Sequence, residues 1–175
     1  KSAGQGRADR LVADGWRSRT IARIGEKPWK GVYALTSVLG FALLVWGYGL
    51  ARHNPVVLWT PPAGMAHLSA LLMAVALVLL AATYVPGNAI KARLHHPMLL
   101  SVKLWALAHL LANGTLADLL LFGGFLVWAV LCFRAARQRD RAGGVVYAPG
   151  RTGATLVAAA IGLALWAALV WGGHA

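Results

Sequence analysis

Five apolar stretches, set apart by turn residues and charge, organise this chain of 175 residues. The first, residues 31–51 between Lys30 and Arg52, carries no charge and is long enough to cross a hydrocarbon core of about 30 Å as a helix. Trp46 and Tyr48 near its end suit the aromatic belt of a membrane interface. Residues 52–64 hold Pro55, Pro61 and Pro62, which break the helix. A second span over residues 66–85 is closed by Pro86-Gly87-Asn88. A basic loop with Lys91, Arg93, His95 and His96 then leads to Pro97, a residue suited to a first helical turn. The third span, residues 98–112, is short, at about 22 Å by helical rise. Asn113-Gly114 predicts a turn, and Thr115 with Asp118 predicts a capping box that opens the fourth span, residues 116–133. The third and fourth spans should therefore form a hairpin. Arg134, Arg137, Arg139 and Arg141 close the fourth, and a fifth span covers residues 154–171. There is no fixed-period repeat, which excludes a solenoid.

Composition turns this pattern into an all-α, polytopic transmembrane helix bundle. The chain is 59% hydrophobic and only 13% charged, where soluble domains are roughly 25% charged. Its net charge of +12, from 17 Lys and Arg against 5 Asp and Glu, would by itself suit nucleic acid. Position excludes that: the cations border apolar segments, and none is left over to line a groove. They lie in the first 30 residues and in the loops after the second and fourth spans. This bias predicts a cytoplasmic N-terminal segment and a periplasmic C-terminus, with the lipid bilayer as the main partner. Residues 1–30 read as a basic N-terminal interfacial segment, in which Leu11, Val12, Trp16, Ile21 and Ile24 alternate with arginines. Residues 31–175 form the transmembrane domain. Because the chain begins at Lys1, the reading expects it to be incomplete at its N-terminus. The single cysteine, Cys132, reads as a small core hydrophobe.

Candidate chemistry centres on His109, an ionisable group inside the apolar run KLWALAHLLANG. At that depth an unpaired polar group costs several kcal/mol, so the imidazole needs a neighbouring helix, a metal or a hydrated cavity. Trp105, Ala106, Ala112 and Asn113 share its face at three- and four-residue spacing. The alanines leave room for a planar macrocycle such as haem, with His109 supplying the nitrogen ligand; the competing reading is interhelical glue. His67 matches His109 in depth and reads either as a second ligand or as an interfacial anchor, while His95 and His96 belong to the opposite end. Lys103 reads as an anchor that snorkels to the basic side. Gly40, Gly47, Gly49, Gly123 and Gly124 are expected to permit close helix packing. The zinc spacing of His and Glu, paired carboxylates and a phosphate-cradling glycine loop are all missing from the sequence.

Three segments, RLVADGWRSRTIARIGEKPWKGVYALTSVLGFALLVWGYG, YVPGNAIKARLHHPMLLSVKLWALAHLLANGTLADLLLFGGFLVWAV and the basic run that follows, closely resemble the NnrU family. The most specific part is HPM followed by KLWALAHLLANGTLAD. These are small bacterial inner-membrane proteins associated with denitrification and nitrogen-oxide metabolism. The family is related to the zeta-carotene isomerase of plants and cyanobacteria, a membrane enzyme that uses haem b. The resemblance implies haem b as cofactor, His109 in the pattern Trp105 to His109 as axial ligand, and denitrification enzymes as partners. It leaves a non-enzymatic assembly or regulatory role and an isomerase-like activity as alternatives. Relatives open with an apolar helix ending in Gly-x-His-Ser, whose histidine resembles the other haem ligand. Here GQGRADR stands in that place, so either a sixth, N-terminal span is missing or haem is held differently. The isomerase also has a cysteine where this chain has Ala106.

Overall fold

The computed structural model describes residues 21–23 and 25–172. The interfacial segment expected over residues 1–30 lies mostly outside the described residues. Two units divide the chain, residues 1–53 and residues 54–175. The first contains α1, Glu26–Ala51, which opens ahead of the uncharged stretch. Pro28 fits its first turn, and Lys30 pairs with Glu26 at 2.7 Å one turn away. Inside α1, Thr36 and Ser37 donate to the carbonyls of Val32 and Tyr33, each at 2.8 Å, so the two hydroxyls are satisfied within the helix itself.

The second unit holds α2 (Met65–Tyr84), α3 (Ala89–Leu94), α4 (Pro97–Ala112), α5 (Leu116–Ala142) and α6 (Thr152–Gly172). α2 packs against both α4 and α6, and α4 packs against α5, which gives the spatial order α6, α2, α4, α5. Among the described residues α1, α2, α5 and α6 are long and apolar enough to cross a membrane, and α4 is a shorter apolar helix. The outward faces are oily, with Leu71, Leu120, Leu131 and Leu156 all exposed. A water-soluble domain would cover such a surface, whereas lipid tolerates it. This is a polytopic helical bundle, as the apolar pattern predicts.

Small residues make the core. Ala74, Ala76, Ala82, Ala106, Ala108, Ala129 and Ala158 are buried, and they let the helix backbones approach closely. Where the backbones come near, polar side chains cross between helices. Ser101 of α4 donates to the Ala76 carbonyl of α2 at 2.7 Å, and Trp166 of α6 donates to the Ala70 carbonyl of α2 at 2.8 Å. The glycine that sets a close approach is Gly162, where a Cβ would collide with the Val78 backbone of α2. Gly123 and Gly124, expected to do so, do not: a Cβ at Gly124 meets open space and one at Gly123 meets only Leu119 of its own helix. No atom of a neighbouring helix would lie within 4 Å of either Cβ.

Each end of this unit is tied by short, local devices. At the basic end Asn88, 1% exposed, caps α3 by accepting from Lys91 N, while its amide donates to the Ala82 and Val85 carbonyls at the end of α2. Gly87 accepts from Arg151 N at 2.8 Å, and Thr155 accepts from Ala89 N at 2.8 Å, which fixes the start of α6. The loop expected around Lys91 is thus partly helical. At the other end, residues 54–64 strap the α4–α5 hairpin. Gly114 accepts from Leu58 N, and Val56 accepts from Leu116 N, both at 2.8 Å. Only glycine fits at 114, because a Cβ would strike the Trp59 carbonyl. α5 runs past its expected end at residue 133 to Ala142, beyond the apolar part.

Candidate functional site: the imidazole between α4 and α5

His109 sits in the last turn of α4, about 6 Å along the axis from the Asn113 turn. Its ring is half-buried and lies face to face on Phe122 of α5, with centroids 4.4 Å apart and planes 10° from parallel. Trp105, one turn earlier, meets the imidazole edge-on at 5.1 Å. Trp105 in turn makes edge contacts with Phe122 at 5.2 Å and Phe125 at 5.5 Å. Edge-to-face and offset-stacked rings are the arrangements that aromatic quadrupoles favour, each worth about 1 kcal/mol beyond area burial. The imidazole is therefore held by two rings, one from each helix, and Phe125 braces the first of them.

The backbone beneath it is fixed as well. Both the main-chain N–H and the side-chain amide of Asn113 donate to the His109 carbonyl, at 3.0 and 2.9 Å. Asn113 touches His109 through the backbone, not through the ring. Across the hairpin Thr115 opens α5 with the predicted capping box: its hydroxyl accepts from Asp118 N, and Asp118 accepts from the Thr115 hydroxyl at 2.6 Å. Asp118 is 5% exposed and acts electrostatically on His109. One short turn thus joins the end of α4 that carries the imidazole to the capped start of α5, the helix that supplies the phenyl face.

The other sequence candidates are distributed differently. His67 is exposed in the first turn of α2, at the strapped end of the bundle. Lys103 lays its ammonium over the Phe133 ring at 3.8 Å, pointing toward the basic end. Ala106 is fully buried in helix packing, whereas Ala112 is exposed. Among the described residues no group of three or more His, Cys, Asp or Glu is arranged to hold a metal ion. A half-buried nitrogen donor with an aromatic flank is chemically suited to serve as one ligand of a haem iron.

Sequence reasoning missed Phe122 and Phe125, because the helical phase of α5 relative to α4 is set by packing. It also missed a second cluster at the basic end. His96 Nε2 and Asp140 Oδ2 are 2.8 Å apart, and Tyr147 donates to the same oxygen at 3.1 Å. His95 packs edge-on against Tyr147 at 4.1 Å, and its Nδ1 lies 3.9 Å from Asp140, beyond hydrogen-bond reach. His95 also adopts φ 68°, a backbone region unfavourable for a side chain of this type. Burial and then the hydrogen bond to Asp140 raise the Tyr147 phenol above its ordinary value. The pairing joins positions 44 apart in the chain, so no local motif announces it.

Compared with known proteins, the chain matches a family model described as NnrU protein over residues 9–175, nearly its whole length. No curated protein and no solved structure matches it.

Proposed function

This chain belongs to the NnrU family, and from that premise we propose that it is a bacterial inner-membrane protein of nitrogen-oxide metabolism in which His109 is an axial ligand of haem b. The observation that carries the reading is the fixed orientation of His109, with its ring stacked on Phe122 and braced by Trp105. A haem held there would supply a redox-active iron with an exchangeable axial position. His109 offers the nitrogen. Phe122 and Trp105 orient the ring, Asn113 fixes its backbone, and Asp118 supplies a negative charge that steadies the polarised imidazole. His67, in the first turn of α2, is the candidate for contact with the edge of the group. In this reading the basic end, with Arg134 to Arg141, faces the cytoplasm.

The test is spectroscopic. Protein purified from cells supplied with haem should show a Soret band that His109→Ala weakens or shifts, with the variant still folded by circular dichroism. Wild-type protein without a Soret band would overturn the assignment.

A second reading is favoured by the same stack, because the His109–Phe122 contact joins α4 to α5. Here the protein is a non-enzymatic assembly or regulatory component for denitrification enzymes, and His109 is structural. His109→Ala then lowers stability by about 1 kcal/mol and changes no spectrum.

A further inference from the structure

At the basic end, α3, α4 and α5 line an open cavity of about 640 Å³ whose lining includes Arg93, Arg134, Arg137, Arg141, Leu100 and Phe133. We propose that this cavity is a binding site for the phosphate headgroup of an anionic phospholipid from the adjoining leaflet.

Three features set it apart from the general scatter of cations at a membrane surface. First, the charges converge. Arg134, Arg137 and Arg141 recur at helical spacing on one face of α5, and Arg93 reaches the same cavity from α3, whereas Arg139, on the same turns of α5, does not line it. Secondly, among the described residues none of these arginines forms an ion pair with a carboxylate. Glu26 pairs with Lys30, Asp118 with Thr115, and Asp140 with His96 and Tyr147. Guanidinium groups left in this way present forked donors that match phosphate oxygens. Thirdly, the cavity has an apolar wall. Leu94, Leu100 and Phe133 adjoin the arginines, and Lys103 over the Phe133 ring places another cation deeper along α4. A free phosphate has no use for such a wall. A headgroup continuous with hydrocarbon does, and a basic pocket between helices at this depth is the kind of site that holds one.

Full-length protein in a neutral detergent would be titrated with phosphatidylglycerol, cardiolipin, phosphatidylcholine or inorganic phosphate. Bound lipid is read by native mass spectrometry and the effect of binding by thermal shift. The anionic lipids should be retained and raise the melting temperature, while phosphatidylcholine and inorganic phosphate at equal phosphate concentration do neither. Each arginine removed should weaken the anionic lipid about fivefold, so Arg93→Gln with Arg137→Gln should weaken it about twenty-five-fold. Arg139→Gln, which removes the same charge outside the cavity, should leave the affinity unchanged. Arg93→Gln alone keeps the comparison available if the double variant does not fold. An equal response to inorganic phosphate would make the ligand a soluble anion and overturn the lipid assignment. An Arg139→Gln effect as large as that of Arg137→Gln, or wild-type affinity in the cavity variants, would reduce the site to diffuse surface charge.

Discussion

At the scale of single residues, the short run from Asn113 to Asp118 does most to place the candidate site. It ends α4, starts α5 and brings a carboxylate beside His109. Thr115→Ala removes the hydroxyl that accepts from Asp118 N, and should cost about 1 kcal/mol, read as a lower melting temperature in detergent. This part was legible in the sequence, because a capping box is a local pattern of residue types. The partners of His109 were not legible: nothing in the order of residues says that Phe122 rather than its neighbours will lie under the imidazole. Tyr147 gives a residue-scale test of the second cluster. Its phenol is raised in the folded protein, first by burial and then by its bond to Asp140. The stability this contributes is present below the ordinary value of 10.0 and is lost as pH rises through the folded value. An ultraviolet difference titration of wild type against Tyr147→Phe should show the missing tyrosinate appearing above pH 10.0.

Whole helices were easier to foresee than their faces. Pro86-Gly87-Asn88, Pro97 and Asn113-Gly114 punctuate the backbone locally, and the end of α2, both ends of α4 and the start of α5 fall where those residues put them. The two ends that moved did so for one physical reason: hydropathy marks what lies in lipid, not what is helical. α1 opens early through Pro28 and the Glu26–Lys30 pair, and α5 continues through a run rich in Ala, Arg and Gln, all good helix formers, before stopping at Gly143. Close packing was misplaced for a related reason. A glycine reports room for approach only if its face meets another helix, and that holds for Gly162 against Val78 but not for Gly124. Gly162→Leu should therefore separate α6 from α2 and destabilise the bundle by more than about 2 kcal/mol, while Gly124→Leu should be close to neutral in detergent. Thermal melts of the two variants side by side check this contrast.

For the molecule as a whole, apolar surface and basic ends define how the chain sits in a bilayer. With Cys132 replaced by Ala, Val146→Cys should be labelled by a membrane-impermeant maleimide only after the cells are opened, and Thr60→Cys should be labelled in intact cells. The reverse pattern would place the arginine-rich end outside. Within that frame, the proposed ligation of haem by His109 is tested most directly by chemical rescue. Haem-loaded His109→Gly should lose the wild-type Soret band, and free imidazole added to the cavity should restore it, while the same addition leaves wild type unchanged. A His109→Gly protein that keeps the wild-type spectrum without imidazole would contradict the account.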